Sequence, residues 1–146
     1  MALVALAALG GCSRKPKDRE ARVREAVAAL ERAAEEKDLG AVKEALVEDF
    51  RSDDGRGRKD LIAMLQMHFL RQQTVHVAQR VDAVTFPMEG HAEAKVTAAV
   101  AGTEIPSLEA LAGVRADVFQ FTFRFIEDGD GWLLAGANWR RARPGE

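Results

Sequence analysis

The side chains that could transfer protons or bind metal ions are few and scattered. The three histidines, His68, His76 and His91, are spaced irregularly and match no local pattern of metal ligands. The single cysteine, Cys12, has no partner for an intramolecular disulfide or a multi-cysteine metal site. We therefore expect neither a metal ion nor a cofactor. His68 lies beside an apolar stripe, where it is either a hydrogen-bonded structural residue or a general base.

Cys12 follows an uninterrupted apolar run from Ala2 to Leu9. The run has the length of a signal-peptide core and is too short to span a bilayer as a permanent helix. Leu9-Gly10-Gly11-Cys12 resembles the lipobox of bacterial lipoproteins, in which the cysteine is diacylated and becomes the mature N-terminus. The resemblance implies a signal peptide over residues 1–11 and a lipid on Cys12. The alternative is a frayed apolar tail with an incidental cysteine.

The segment that begins at Cys12 is predicted to be a short lipidated tether over residues 12–17. Its cations, Arg14, Lys15 and Lys17, would add electrostatic attraction to anionic headgroups. One folded domain is then expected over residues 18–142. This organisation predicts a lipid-anchored protein of the cell envelope, at the outer membrane or the periplasmic face if the host is Gram-negative.

A group of cations marks the start of the third predicted helix. Arg56, Arg58 and Lys59 are placed where a helix N-terminus and positive side chains can bind an anion. Asp53 and Asp54 largely offset this charge, so a solvated turn is the alternative. The local glycine spacing does not match a phosphate-binding P-loop.

Three short amphipathic helices must position these groups. Apolar residues recur at helical spacing from Asp18 to Lys37, and again on a short second helix that Asp38 can cap. A turn-rich stretch follows, and the third helix is predicted from about Arg58 to Arg71.

Four strands are predicted after Gln73, where the apolar period changes to two. The buried face of the first strand is expected to carry Val75, Val77, Val81 and Ala83. The second strand is expected to bury Ala92, Ala94, Val96, Ala98 and Val100. The third places four rings in the core, those of Phe119, Phe121, Phe123 and Phe125. The last strand runs from Trp132 to Arg141 after a glycine-rich hairpin turn.

Helices followed by antiparallel strands predict an α+β domain, in which three N-terminal helices pack on a curved antiparallel sheet. A chain of 146 residues can bury one independent core. Its 47% hydrophobic and 30% charged residues are typical of a soluble globular protein. The net charge of -2 creates no field that would attract nucleic acid, so no nucleic-acid partner is expected.

The order of these elements, with several short motifs, resembles the nuclear transport factor 2-like superfamily, the cone-shaped fold of ketosteroid isomerase, scytalone dehydratase and SnoaL-like cyclases. The motifs are Asp38-Leu39, Asp49-Phe50, Gly57-Arg58, Phe121-x-Phe123, Asp128-Gly129-x-Gly131-Trp132-x-Leu134 and Ala137-Asn138-Trp139. The resemblance covers about residues 19–141 and implies helices over the concave face of a sheet. It says little about activity, because one fold hosts many functions.

Enzymes of this superfamily place a carboxylate, often with tyrosine or histidine, inside the cone. This chain has no tyrosine, so the phenolic donors of the isomerases and dehydratases cannot be carried over. The candidate pocket residues are His68 on the third helix, Asp49 near the second helix and Asn138 on the last strand. His76 and Asp82 have the parity opposite to the valines of the first strand and should face away from the helices.

The leading hypothesis is a non-catalytic lipoprotein whose domain binds a small apolar ligand or a protein partner, because no convergent acid–base set is visible. The rival hypothesis is an isomerase, dehydratase or cyclase that acts on a hydrophobic small molecule. A purely structural dimer is the third. In the superfamily the outer sheet face often packs against a second copy, and its polarity here favours a weak homodimer. That face is expected to carry His76, Arg80, Asp82, Gln120, Thr122 and Arg124.

Overall fold

Two helices come before the first strand of the described residues and the third follows it, whereas the sequence predicts that all three helices precede the strands. The structure, a computed structural model, describes residues 16–109, 111, 115–129 and 131–142, so the predictions for residues 1–11 and for Cys12 lie outside the described residues. The helices are α1 (Pro16–Glu35), α2 (Leu39–Glu44) and α3 (Arg58–Arg71). The strands are β1 (Leu46–Ser52), β2 (His76–Thr85), β3 (His91–Ala101), β4 (Ala116–Asp128) and β5 (Gly131–Arg141).

The strands of the described residues form one sheet with the order β1-β5-β4-β3-β2. Strands β2 to β5 pair in an antiparallel manner, and β1 runs parallel to β5 at one edge. Helix α1 packs against β2 and β5, while α2 and α3 contact each other and β1. This arrangement confirms the predicted α+β domain, with helices covering one face of a mainly antiparallel sheet.

The segment that forms β1 is the main error of the sequence prediction. The pattern assigns Leu46 to the second helix, but α2 ends at Glu44 and Leu46 begins a strand that pairs with Leu134. The pairing joins residues that are distant in sequence, so local periodicity does not report it. The predicted cap of α2 is confirmed, because the Asp38 carboxylate accepts a hydrogen bond from Ala41 N at 3.0 Å.

A β-bulge in β2 changes which residues face the helices. The register with β3 shifts between Val81 and Ala83, and beyond that point Val84 packs against the core. Ala83 is exposed, so its predicted burial is wrong. A bulge inserts one unpaired residue and thereby reverses the alternation of the strand, which sequence periodicity does not anticipate.

One end of the domain is filled by large side chains and is called the closed end below. Phe50 of β1 and Phe125 of β4 are only 1% and 2% exposed. Val23 of α1 and Trp132 of β5 belong to the same buried cluster, and the ring of Phe86 lies 6.0 Å from that of Trp132. Burial of these side chains supplies the main hydrophobic stabilisation of the fold.

Helix α1 is amphipathic, with Val23 and Val27 buried and charged residues on its opposite face. Among the helices within the described ranges, none combines the length and the apolar character that crossing a bilayer requires.

Lys37 closes the end of α1 and ties it to the C-terminus of α3. Its φ of 55° lies in the left-handed region that is common just beyond helix C-termini. Its ammonium Nζ donates to the carbonyl of Phe69 at 3.1 Å and to that of Gln73 at 3.0 Å, and it also contacts the carbonyl of Gln72. A cation at this position satisfies carbonyls that lack helical partners and complements the helix dipole.

We expect Lys37→Met to lower the free energy of unfolding by about 1 to 2 kcal/mol, because charge-assisted hydrogen bonds to the end of α3 are lost. Urea denaturation followed by circular dichroism measures this change. Lys43→Met on the exposed face of α2 is the matched control and should change stability by less than about 0.5 kcal/mol. Equal effects of the two variants would contradict a clamping role of Lys37.

Candidate functional site

A cavity of about 770 Å³ lies between the helices and the sheet, beyond the closed end. Its walls are mainly apolar side chains from each of the described helices and strands. The helix side includes Val27, Leu30, Leu61, Met64, Leu65 and Phe69. The sheet side includes Val96, Ala98, Phe119, Phe121, Phe123 and Leu134. This volume lies within the range of small-molecule sites in proteins.

Strand β3 places mostly small side chains opposite the rings of β4. Ala98 lies opposite Phe119 in the register, and Ala94 lies opposite Phe123. Alanines fill little space above the sheet, so Phe119 and Phe123 have small partners on β3, whereas Phe121 lies opposite Val96. The rings of Phe121 and Phe123 stack with centroids 5.1 Å apart and remain half-buried. Sequence periodicity correctly places the four rings of β4 on one face, but Phe119, Phe121 and Phe123 line the cavity, and only Phe125 lies in the filled core.

The cavity opens where α3 ends and β4 begins. Its exposed lining residues lie at this end, and we call them the mouth: His68, Gln72, Thr74, Gly102, Arg115 and Asp117. Lys37 fixes the last carbonyls of α3 at the same place. The clamp at the end of α1 therefore also holds one side of the mouth.

A polar pair interrupts the apolar wall. Glu31 of α1 and Gln79 of β2 both line the cavity and are half-buried. Burial raises the pKa of Glu31 and the charge of Glu35 adds to the rise, whereas a hydrogen bond from the Gln79 side chain and the charge of Arg32 partly offset it. The Oε1 atom of Gln79 is fully buried and has no hydrogen-bond partner among the described residues.

The sequence analysis missed Glu31 and Gln79, although both carry a signal. Glu31 continues the spacing of four that joins Val23 to Val27, which puts a carboxylate on the apolar face of the helix. Gln79 has the inward parity of Val77 and Val81 on β2. A polar residue at an apolar position of the pattern is the feature that indicates a site.

The three pocket candidates from the sequence do not come together. His68 lines the cavity but is exposed at the mouth, with its ring 6.2 Å from that of Phe69. Asp49 is exposed on β1 and lies outside the cavity, because strand alternation directs it away from buried Phe50. Asn138 is exposed on β5, where it pairs with Thr122 on the outer face.

Two of the three predicted anion-binding cations, Arg56 and Arg58, already donate hydrogen bonds within the chain. Arg56 Nε donates to Asp54 at 2.8 Å, and the Arg58 guanidinium donates to the carbonyl of Lys43 at 3.0 and 3.3 Å. Lys59 is exposed at the start of α3. These contacts are typical of a solvent-exposed turn whose side chains form hydrogen bonds within the chain. Anion binding at this loop stays a prediction.

The outer sheet face carries polar contacts of its own. Asp82 accepts hydrogen bonds from Arg80 Nε and Thr97 Oγ1, each at 2.6 Å. Partial burial alone would raise the pKa of Asp82, but these two hydrogen bonds and the Arg80 charge lower it below its ordinary value. Arg124 forms an ion pair with Asp53. A weak homodimer through this face stays a prediction.

Comparison with known proteins identifies the fold. No protein-family model matches the chain, and no curated protein is significantly similar to it in sequence. A domain of unknown function with a cystatin-like fold from Nostoc punctiforme is 20% identical, with a TM-score of 0.64 over 90% of this chain and 82% of that one.

Two further solved structures are similar to this chain. A proposed scytalone dehydratase from Novosphingobium aromaticivorans is 11% identical, with a TM-score of 0.69 over 86% of this chain and 85% of that one. Bd1075 of Bdellovibrio bacteriovorus is 13% identical, with a TM-score of 0.68 over 86% of this chain, which spans 41% of the length of Bd1075. The chain thus has the cystatin-like fold, which is that of the nuclear transport factor 2-like proteins.

Proposed function

We propose that this protein is a cell-envelope lipoprotein whose domain binds a small, mainly apolar molecule without transforming it. The observation that carries the proposal is the apolar cavity of about 770 Å³ with an open mouth. Phe119, Phe121 and Phe123 face this cavity and remain only half-buried. Removing a large apolar side chain from water contributes about 1.5 to 3 kcal/mol, so a ligand that covers these rings gains affinity from each of them.

The lipid anchor rests on Leu9-Gly10-Gly11-Cys12 and on the basic tether that follows it. The folded domain is compatible with a lipid-anchored N-terminus, because α1 begins at Pro16, directly after the tether cations Arg14 and Lys15. Anchoring would then keep the binding domain at the membrane surface while its cavity stays in the aqueous compartment.

Glu31 favours a second candidate function, an isomerase, dehydratase or cyclase acting on a hydrophobic molecule. A carboxyl group whose pKa is raised in an apolar site can act as a general acid or base. The solved relative described as a proposed scytalone dehydratase belongs to this class. We favour binding because the hydrogen-bond partner of Glu31 is the Gln79 amide, which does not transfer protons, and His68 lies at the mouth.

The proposal is tested with the neutral fluorescent probe N-phenyl-1-naphthylamine and the full chain carrying Cys12→Ala. Val100 lies on the cavity face of β3 near Gly102 of the mouth, and Val118 lies on the opposite face of the sheet. We expect Val100→Trp to weaken probe binding about tenfold or more, since the indole occupies the entrance, and Val118→Trp to change it less than about twofold.

Thermal melting followed by circular dichroism confirms that both tryptophan variants are folded. Any contribution of the N-terminal apolar run is common to the variants and cancels in the comparison. Equal probe affinity in the two variants, or no binding by the parent chain, would overturn the proposed binding function.

A further inference from the structure

Deeper than the mouth, the described lining residues with a charged or amide side chain are Glu31 and Gln79. Gln79 donates to the Glu31 carboxylate, which leaves Gln79 Oε1 as a buried acceptor without a donor among the described residues. Buried polar atoms in native proteins almost always have a partner. The terminal torsion of glutamine is soft, so this oxygen can turn toward a donor that enters the cavity. The Gln79 amide then gives up its hydrogen bond to Glu31, and the same donor can replace it.

A second carboxylate lies close to Glu31. Glu35, one turn further along α1, accepts a hydrogen bond from Val77 N at 3.2 Å and raises the pKa of Glu31 by repulsion. The neighbouring cation Arg32 donates instead to Glu25, at 2.8 Å on the exposed face of α1. Glu31 is therefore a partly desolvated carboxylate, and the neighbouring Arg32 forms its ion pair with Glu25.

We infer that the ligand is an apolar molecule that carries a protonated amine, held by the Glu31 carboxylate and Gln79 Oε1. This inference rests on the proposed binding function and specifies the ligand class of the same cavity. An ammonium group has several N–H donors, enough for both acceptors. The hydrocarbon or aromatic body lies along Phe121 and Phe123 of the cavity wall.

Other head groups fit this position less well. A carboxylate ligand would place two anions together in a cavity wall of low polarity, which disfavours binding. An alcohol has a single donor and no charge, so it can satisfy one acceptor and leaves the other without a partner. The expected order of affinity is therefore amine, then alcohol, then carboxylate.

Three ligands with the same ring test the order: 2-naphthylmethylamine, 2-naphthylmethanol and 2-naphthoate, titrated at neutral pH by calorimetry into the full chain carrying Cys12→Ala. The amine is expected to bind about tenfold or more tightly than the carboxylate. Glu31→Gln should weaken the amine about tenfold and leave the alcohol within about threefold. Glu36→Gln removes an exposed charge directly after the same helix and should leave all three affinities within about twofold.

Gln79→Met provides a second variant, because it removes the free acceptor and keeps a side chain of similar shape. It should weaken the amine more than the alcohol, with folding checked by thermal melting. Naphthoate binding as tightly as the amine, or an amine affinity that is unchanged in both Glu31→Gln and Gln79→Met, would overturn this inference and leave the binding function standing. Failure of the parent chain to bind all three ligands and N-phenyl-1-naphthylamine would overturn both.

Discussion

Phe125→Ala is expected to lower the free energy of unfolding by about 3 to 5 kcal/mol, the largest effect among the rings of β4. Phe125 is 2% exposed and lies in the closed end, where its ring contacts that of Phe123 edge to face at 6.1 Å. Truncation there removes a fully buried ring and leaves a new void that the well-packed surroundings do not refill.

Phe121→Ala and Phe123→Ala should each lower stability less, by about 1 to 2 kcal/mol, because both rings are half-buried and already face a cavity. Their removal enlarges an existing space and creates no new one. Urea denaturation of the three variants measures the difference, and Gln120→Ala on the outer face should cost less than about 1 kcal/mol. An effect of Phe121→Ala as large as that of Phe125→Ala would mean that side chains fill the cavity.

The elements that the sequence predicts well are those whose pattern is local. Helix α3 has the predicted bounds, Arg58–Arg71, because its apolar residues repeat along one face. Strands β3 and β4 follow their predicted alternation without a break in their mutual register. Strand β1 and the bulge in β2 were not predictable in this way, since parallel pairing with β5 and one extra residue are properties of the assembled sheet.

The site is harder to predict than the fold for a physical reason. Alternation shows that Phe121 and Phe125 share a face, but the same pattern results whether a face meets other side chains or an empty volume. The β3 partner does not decide it, since Phe119 at the cavity and Phe125 in the core both lie opposite an alanine, so the difference depends on how the helices are placed over each ring. The sequence pattern is sufficient to predict that Glu31 and Gln79 are polar residues at apolar positions. It is not sufficient to predict that they lie side by side in one cavity.

Cys12→Ala is expected to move the protein from membranes to the soluble fraction without unfolding the domain, provided that Cys12 carries the proposed lipid. Two acyl chains give stable anchoring. The cations Arg14, Lys15 and Lys17, the last of them in the first turn of α1, contribute only about 1 kcal/mol each near an anionic surface, and salt screens that attraction. The first fully buried side chain of the described residues is Val23, so we expect the same core in Cys12→Ala as in the parent chain.

Phase partitioning in detergent and intact-mass measurement of the protein made in a bacterium with lipoprotein processing test this expectation. The parent chain should enter the detergent phase with the mass of an acylated N-terminus at Cys12, and Cys12→Ala should enter the aqueous phase with no acyl mass. Ser13→Ala, which changes the adjacent residue, is the matched control and should behave like the parent. An apolar run of Ala2–Leu9 is too short to span a bilayer, so detergent partitioning of Cys12→Ala that persists at high salt would contradict the lipid anchor.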